Sequence, residues 1–192
     1  MVNKTKKIIF DSAIKIFSEL GYRGATMDEI ASNAGLAKGT LYYHFSSKEE
    51  IFNFIVVEGI QILTSQAVEI QKLDIGPVDK LEKMSKIQLE FMYGYTDFFK
   101  VVMSQLWGNE KRQDDLRSLI RAYIKNNIEG NIKAAMEQNL IKEADSEILA
   151  YEFFGVLCSA AIYESINIDK IQLNVVIDNA VKFTLRGLGI DI

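Results

Sequence analysis

A single proline, Pro77, stands in 192 residues, where ordinary usage of ~5% supplies about ten. Proline lacks an N–H and clashes with the preceding helical turn, so a chain that avoids it has few forced breaks. This one also uses Ile, Leu, Lys, Glu, Ala and Met heavily, which suits long helices. No segment alternates apolar and polar residues between turn signals, as a half-buried strand does, and no internal repeat is present. The expected fold is all-α, with about nine helices.

Composition closes off several classes. At 48% apolar and 25% charged, the chain is not disordered. One Cys (Cys158) excludes an internal disulfide framework, and with one His (His44) it gives no support for a structural zinc site. Neither a metal nor a cofactor is expected. Met1–Lys7 is basic, but Asp11 and Lys15 interrupt the residues after it, so no secretory apolar region is read there. The longest run free of charge or amide, Phe153 to Tyr163, is eleven residues, against the about 20 of a membrane span. These features point to a reduced, cytoplasmic chain without a membrane partner.

Charge is uneven along the chain. Residues 1–48 carry seven basic residues against four acidic ones, and the remaining 144 carry 15 against 22. A basic head on an acidic body suits a polyanionic partner. Charge alone does not separate such a head from chance fluctuation.

Local signals divide that head into short helices. Ile9, Ala13, Phe17 and Leu20 recur at helical spacing, and Gly21 is a stop signal. Thr26 with Glu29 forms a capping box, opening a short helix with Ile30, Ala31 and Ala34 on its inner face. Gly35 ends it, and a second short helix runs from about Lys38 to Phe45. Ser47 with Glu50 is another capping box, opening a long helix through Ile51, Phe52, Ile55 and Ile62. Later helices are expected at about 78–94, 97–107, 114–139, 146–166 and 170–187, with Gly76-Pro77, Gly108-Asn109 and 139–145 as breaks.

Two short helices joined at Gly35 make a helix-turn-helix, whose second helix can enter a DNA major groove. At 100° per residue, Leu41 and Phe45 fall together and face inward, while Gly39, Thr40 and Tyr43 face out, flanked by Tyr42 and His44. Two turns of helix gain little from exposing two tyrosines unless these meet a partner. Lys48 stands at the next helix start, where free N–H groups favour a phosphate. The candidate DNA-contacting residues are Thr26, Lys38, Gly39, Thr40, Tyr42, Tyr43, His44 and Lys48. Gly35 and Gly39-Thr40 lack the spacing and the lysine of a phosphate-binding loop.

From Ala13 to Phe52 the chain resembles the tetracycline-repressor (TetR) family of bacterial transcription regulators. The resemblance is carried by Phe17, Gly21, Thr26, Ile30-Ala31, Ala34-Gly35, Lys38 through Phe45 and Ser47-Lys48-Glu49. It implies a homodimer that binds a pseudo-palindromic double-stranded operator, usually represses, and is released by a small effector in the larger domain. The expected division is a DNA-binding domain over 1–48 and an effector-binding and dimerisation domain over 49–192. Beyond residue 52 no family residue pattern is matched.

For the effector, the aromatic stretch 91–99 stands near a polar break at Gly94, Thr96 and Asp97. Helical aromatics are often plain core, but such a cluster also fits a mostly apolar cavity with a few polar groups, and the expected effector is small and largely apolar or aromatic. The candidate effector-binding residues are Phe91, Tyr95, Phe98, Met103, Trp107 and Tyr123, with Phe154 and Tyr163 available to close the cavity. Cys158 and Ser159 have no His in the body to act as a base, so no enzyme activity is expected. In the last helix, Leu173, Val176, Ile177, Ala180, Val181, Phe183, Thr184 and Leu188 span a 160° arc, leaving Ile171, Val175 and Leu185 outside. That exceeds the ~100° needed to cover one core, so with the helix before it a four-helix dimer interface is expected. The competing reading is a dimeric DNA-binding architectural or protein-responsive adaptor with no small-molecule effector.

Overall fold

The computed structural model describes residues 4–108, 110–167 and 172–190, and among these there is no strand. The helices are α1 (Lys4–Gly24), α2 (Met27–Asn33), α3 (Lys38–His44), α4 (Lys48–Gln71), α5 (Pro77–Gly94), α6 (Thr96–Ser104), α7 (Lys111–Ile124), α8 (Gly130–Glu137), α9 (Ser146–Ile166) and α10 (Leu173–Gly187). A π turn over Lys125–Glu129 joins α7 to α8 without leaving helical backbone angles. The single helix expected over 114–139 is thus three segments. Asn109 of the expected break, and Ile171 near the expected start of the last helix, lie outside the described residues, as do Met1 to Asn3.

Two compact units form. One comprises residues 1–60 and 97–119, the other 61–96 and 120–192. In the first, Ile9, Ala13, Ile30, Leu41, Ile51 and Ile55 are almost wholly buried, and Phe17 meets Phe52 edge-on at 6.0 Å. Leu20, which recurs with Ile9, Ala13 and Phe17 at helical spacing, is 46% exposed. Gly21 follows it with a backbone (φ 70°, ψ 163°) that leaves the helical path.

In the second unit α5, α8, α9 and α10 pack on one another. Its centre is Leu81, Met84 and Leu89 of α5, Ile132 and Ala135 of α8, Ala150, Phe153 and Leu157 of α9, and Val181 and Leu185 of α10. Leu185 fell outside the projected apolar arc yet is fully buried. It sits in the last turn, where the chain folds back and Ile190 N–H donates to the Leu185 carbonyl. Pro77 occupies the first turn of α5, where a missing N–H costs nothing. Asp145 caps α9, its Oδ1 accepting from the N–H groups of Glu147 and Ile148 at 3.0 Å each.

By length and composition α4 and α9 are apolar enough to cross a membrane, although charged or amide residues interrupt both. Each directs apolar positions into the interior, through Ile51, Phe52 and Ile55 in α4 and through Ala150, Phe153 and Leu157 in α9.

Candidate functional site

Local chemistry builds the reading head. Thr26 Oγ1 accepts from Glu29 N–H at 3.2 Å and the Glu29 carboxylate accepts from Thr26 N–H at 2.8 Å, so the first capping box is complete. Thr26 Oγ1 also donates to that carboxylate, which occupies its hydroxyl within the cap. The turn after α2 closes at Gly35 (φ 64°), with Leu36 N–H donating to Ala31 O and Gly35 N–H to Ser32 O. This pair of bonds is a Schellman closure, and the left-handed residue it requires is the glycine.

The second capping box is half formed. Glu50 N–H donates to Ser47 Oγ, but the Glu50 carboxylate accepts from Ser46 N–H and Ser46 Oγ, one residue upstream of the cap. Those bonds hold the Glu50 carboxyl below its ordinary pKa. The turn between α3 and α4 is pinned either way.

On α3 the inward and outward faces fall as projected. Leu41 is wholly buried and Phe45 nearly so, while Tyr42 is 51% exposed and Tyr43 85% exposed. Gly39 and Thr40 are also exposed, and His44 stands edge-on to the Tyr43 ring at 5.2 Å. Lys38 is ion-paired with Asp28 of α2, whose carboxylate raises the lysine's pKa.

Lys48 has a second occupation. Its Nζ donates to Ala25 O at 2.8 Å and to Arg23 O at 3.3 Å, and lies 4.7 Å from the Tyr22 ring centroid. It thereby holds the segment that joins α1 to α2. Arg112, which also meets Tyr22, is buried, with its guanidinium 3.7 Å from the Tyr22 centroid and 5.0 Å from that of Phe52. It donates to Gln105 Oε1 and to Glu110 Oε2, holding the Glu110 carboxyl below its ordinary pKa. Nothing in the sequence pattern signalled Arg112.

The candidate effector residues divide between the two units. In the first, Phe98 is buried, Met103 half-buried and Trp107 74% exposed on the segment after α6. In the second, Phe91 is buried against the Tyr95 ring, 4.9 Å centroid to centroid, and Tyr123 is buried 6.4 Å from Phe154. Tyr163 is part-exposed.

Sequence reasoning missed the polar seam running through this second interior. Ser85 donates to Leu81 O, Asn127 to Tyr123 O, and Asn131 to Asn127 O, each within its own helical rod. Gln88, fully buried, accepts at Oε1 from Tyr123 OH at 3.3 Å, and its Nε2 has no partner. An amide donor left unpaired in such a place costs about 1–3 kcal/mol. Burial pushes the Tyr123 hydroxyl well above its ordinary pKa, so it stays protonated and acts as the donor in that pair.

The surface of α9 and α10 is apolar where it is open. Ile162, Tyr163, Ile166, Leu173, Val175 and Phe183 are all exposed, Phe183 to 68%. Between the helices lies a shallow groove of about 590 Å³ lined by Val156, Ala160, Tyr163, Val176, Ala180 and Phe183, among others. Cys158, on α9, is buried, and its thiol is pushed up to about 12 by desolvation.

Residues 9–55 match the family described as bacterial regulatory proteins, tetR family. A solved Clostridium perfringens structure, named for the regulation of fatty acid metabolism, is 45% identical; the alignment covers 96% of this chain and 98% of that one, with a TM-score of 0.87. The HTH-type transcriptional regulator YhgD of Bacillus subtilis is 29% identical over 150 residues, 76% of each protein. The Bacillus subtilis regulator FadR, solved with stearoyl-CoA, is 22% identical with a TM-score of 0.80, covering 94% of this chain and 98% of that one.

Proposed function

The chain belongs to the tetR family of bacterial regulatory proteins, and on that premise we propose that it is a cytoplasmic, ligand-released transcriptional repressor acting as a homodimer on a pseudo-palindromic operator. Residues 1–48 are the DNA-binding domain and 49–192 the effector-binding and dimerisation domain. Within the head, α3 enters the major groove. Tyr42, Tyr43, Thr40 and Gly39 meet bases and sugar-phosphate, and Lys38, His44, Lys48 and Thr26 flank them. The observation that carries the reading is the exposure of two adjacent tyrosines on a two-turn helix whose Leu41 is wholly buried. Such a helix is held by its neighbours through one face and offers the other.

The dimer forms through α9 and α10, whose exposed Phe183, Ile166 and Val175 find cover in a second copy. It sets two heads at the ~34–36 Å that half-sites one turn apart require. The effector is an acyl thioester of coenzyme A, a class suggested by the fatty acid regulator at 45% identity and by the stearoyl-CoA bound to FadR. Phe91, Tyr95, Phe98, Met103, Trp107 and Tyr123 remain the proposed lining of its site. Bound effector favours a state of different head spacing, and DNA must weaken effector binding by the same factor.

The experiment is selection of duplexes from a random pool, followed by fluorescence anisotropy with and without stearoyl-CoA. A palindromic consensus, released by the thioester, is the expected result. A consensus without a dyad overturns the dimeric operator, and release by no acyl-CoA overturns the effector class.

A further inference from the structure

We propose that the Gln88 amide is the polar anchor of the effector, donating through Nε2–H to the carbonyl oxygen of an acyl thioester. The inference rests on the acyl-thioester reading above and adds the residue and atom that recognise it.

Gln88 is fully buried on α5, and its Nε2 is the buried side-chain nitrogen that lacks a hydrogen-bond partner among the described residues. Tyr123, held protonated by burial, donates to the Oε1 end at 3.3 Å and so fixes which end of the amide is free. Among the other polar side chains of the seam, Ser85 bonds Leu81 O, Asn127 bonds Tyr123 O, and Asn131 bonds both Asn127 O and Met84 Sδ, so Gln88 Nε2 is the nitrogen there with no bond at all. A leucine would remove the unpaired N–H but leave the Tyr123 hydroxyl without its acceptor, so the amide serves Tyr123 at Oε1 while its Nε2 stands free. Met84 and Met92, one turn to either side on the same stripe of α5, are buried and unbranched. Such side chains re-pack readily around an incoming alkyl chain.

The chemistry selects the ligand class. One neutral N–H donor beside a neutral phenol suits a neutral acceptor. None of the seam residues, Ser85, Gln88, Tyr123, Asn127 or Asn131, is charged, so a free fatty acid would bring its carboxylate to neutral groups alone. A thioester carbonyl carries no charge and satisfies the donor.

The test is calorimetric titration of the full-length protein with stearoyl-CoA and with S-octadecyl-CoA, a thioether in which a methylene replaces the carbonyl. The wild-type protein should prefer the thioester by about tenfold or more, the ~1.4 kcal/mol of one neutral hydrogen bond. Gln88→Leu should lose the preference. Equal wild-type affinity for the two, or a preference that survives in Gln88→Leu, overturns the anchor while leaving the acyl reading standing. Failure of the wild type to bind stearoyl-CoA overturns the acyl reading, and the anchor with it. Should Gln88→Leu not fold, the wild-type comparison decides alone, and Gln88→Met supplies the second variant.

Discussion

The Arg112 guanidinium lies against the Tyr22 ring, 3.7 Å from its centroid, and so ties the start of α7 to the end of α1. A desolvated cation over an aromatic face contributes ~2 kcal/mol, and the hydrogen bonds to Gln105 and Glu110 add to it. Arg112→Ala should therefore destabilise the protein by about 2–3 kcal/mol, read as a shift in urea midpoint. Arg112→Lys should recover only part of this, since an ammonium cannot reach both acceptors in a fork. The arginine also holds the Glu110 carboxyl below its ordinary value. That contribution is present above the ordinary Glu range, near ~4.3, and is lost as pH falls through the lower folded value. The acid limb of the stability profile should accordingly be shallower in Arg112→Ala. An unchanged urea midpoint would refute the tie.

Tyr43→Ala and Lys48→Ala should separate reading from holding. Tyr43 is 85% exposed, so its loss should leave the melting temperature unchanged and weaken specific operator binding about tenfold or more. Lys48 donates to Ala25 O and Arg23 O, so its loss should lower stability as well as affinity. If it also meets a phosphate, the salt slope falls by about one. A Lys48→Ala protein with wild-type melting and wild-type operator affinity would remove the residue from both roles.

Gly59 faces the Phe98 ring so closely that a Cβ would run into it. Gly59→Ala should cost about 1–3 kcal/mol by overpacking, and Phe98→Leu in the same protein should return much of it. A double-mutant cycle with no coupling energy would show that the helices separate freely there.

How far these features were legible in the sequence depended on how local they are. The Thr26–Glu29 cap, the Gly35 turn and the inward Leu41 and Phe45 each rest on residues within one or two turns, and spacing rules describe that range well. The Arg112 cage joins positions 22, 52, 105, 110 and 112, which no periodicity connects. Glu50 bonding Ser46 instead of completing its cap is a contest between two serines one residue apart, too fine for a motif. The unpaired Gln88 is invisible for another reason. A glutamine in an amphipathic helix reads as surface, and only packing shows that it is buried.

Phe183→Glu is the cleaner probe of the dimer. Val181 and Ala160 are buried, so charged substitutions there test folding and association together. Phe183 is 68% exposed, and a carboxylate in its place should leave the helix content intact while yielding a sedimentation mass of 21.8 kDa, that of one chain. A Phe183→Glu protein that still sediments as two chains would place the interface elsewhere.

Cys158 should be inert to thiol reagents in the folded protein at about pH 8, because desolvation raises its pKa to about 12 and little thiolate forms. Denaturant should release one equivalent at once. Prompt reaction in the native state would mean that α9 opens readily.

The π turn at Lys125–Glu129 is one residue more than an α-helical path between the same ends needs. Asn127, Ile128 and Glu129 are consecutively buried, a band too wide for the single stripe of a regular helix. Excising the exposed Asn126 would remove that surplus and leave a regular α-helical turn between the same ends, so Ile132 and Ala135 would keep their buried places in α8. The surplus residue therefore advances the buried stripe by one position in the sequence without rotating the helix after it in space.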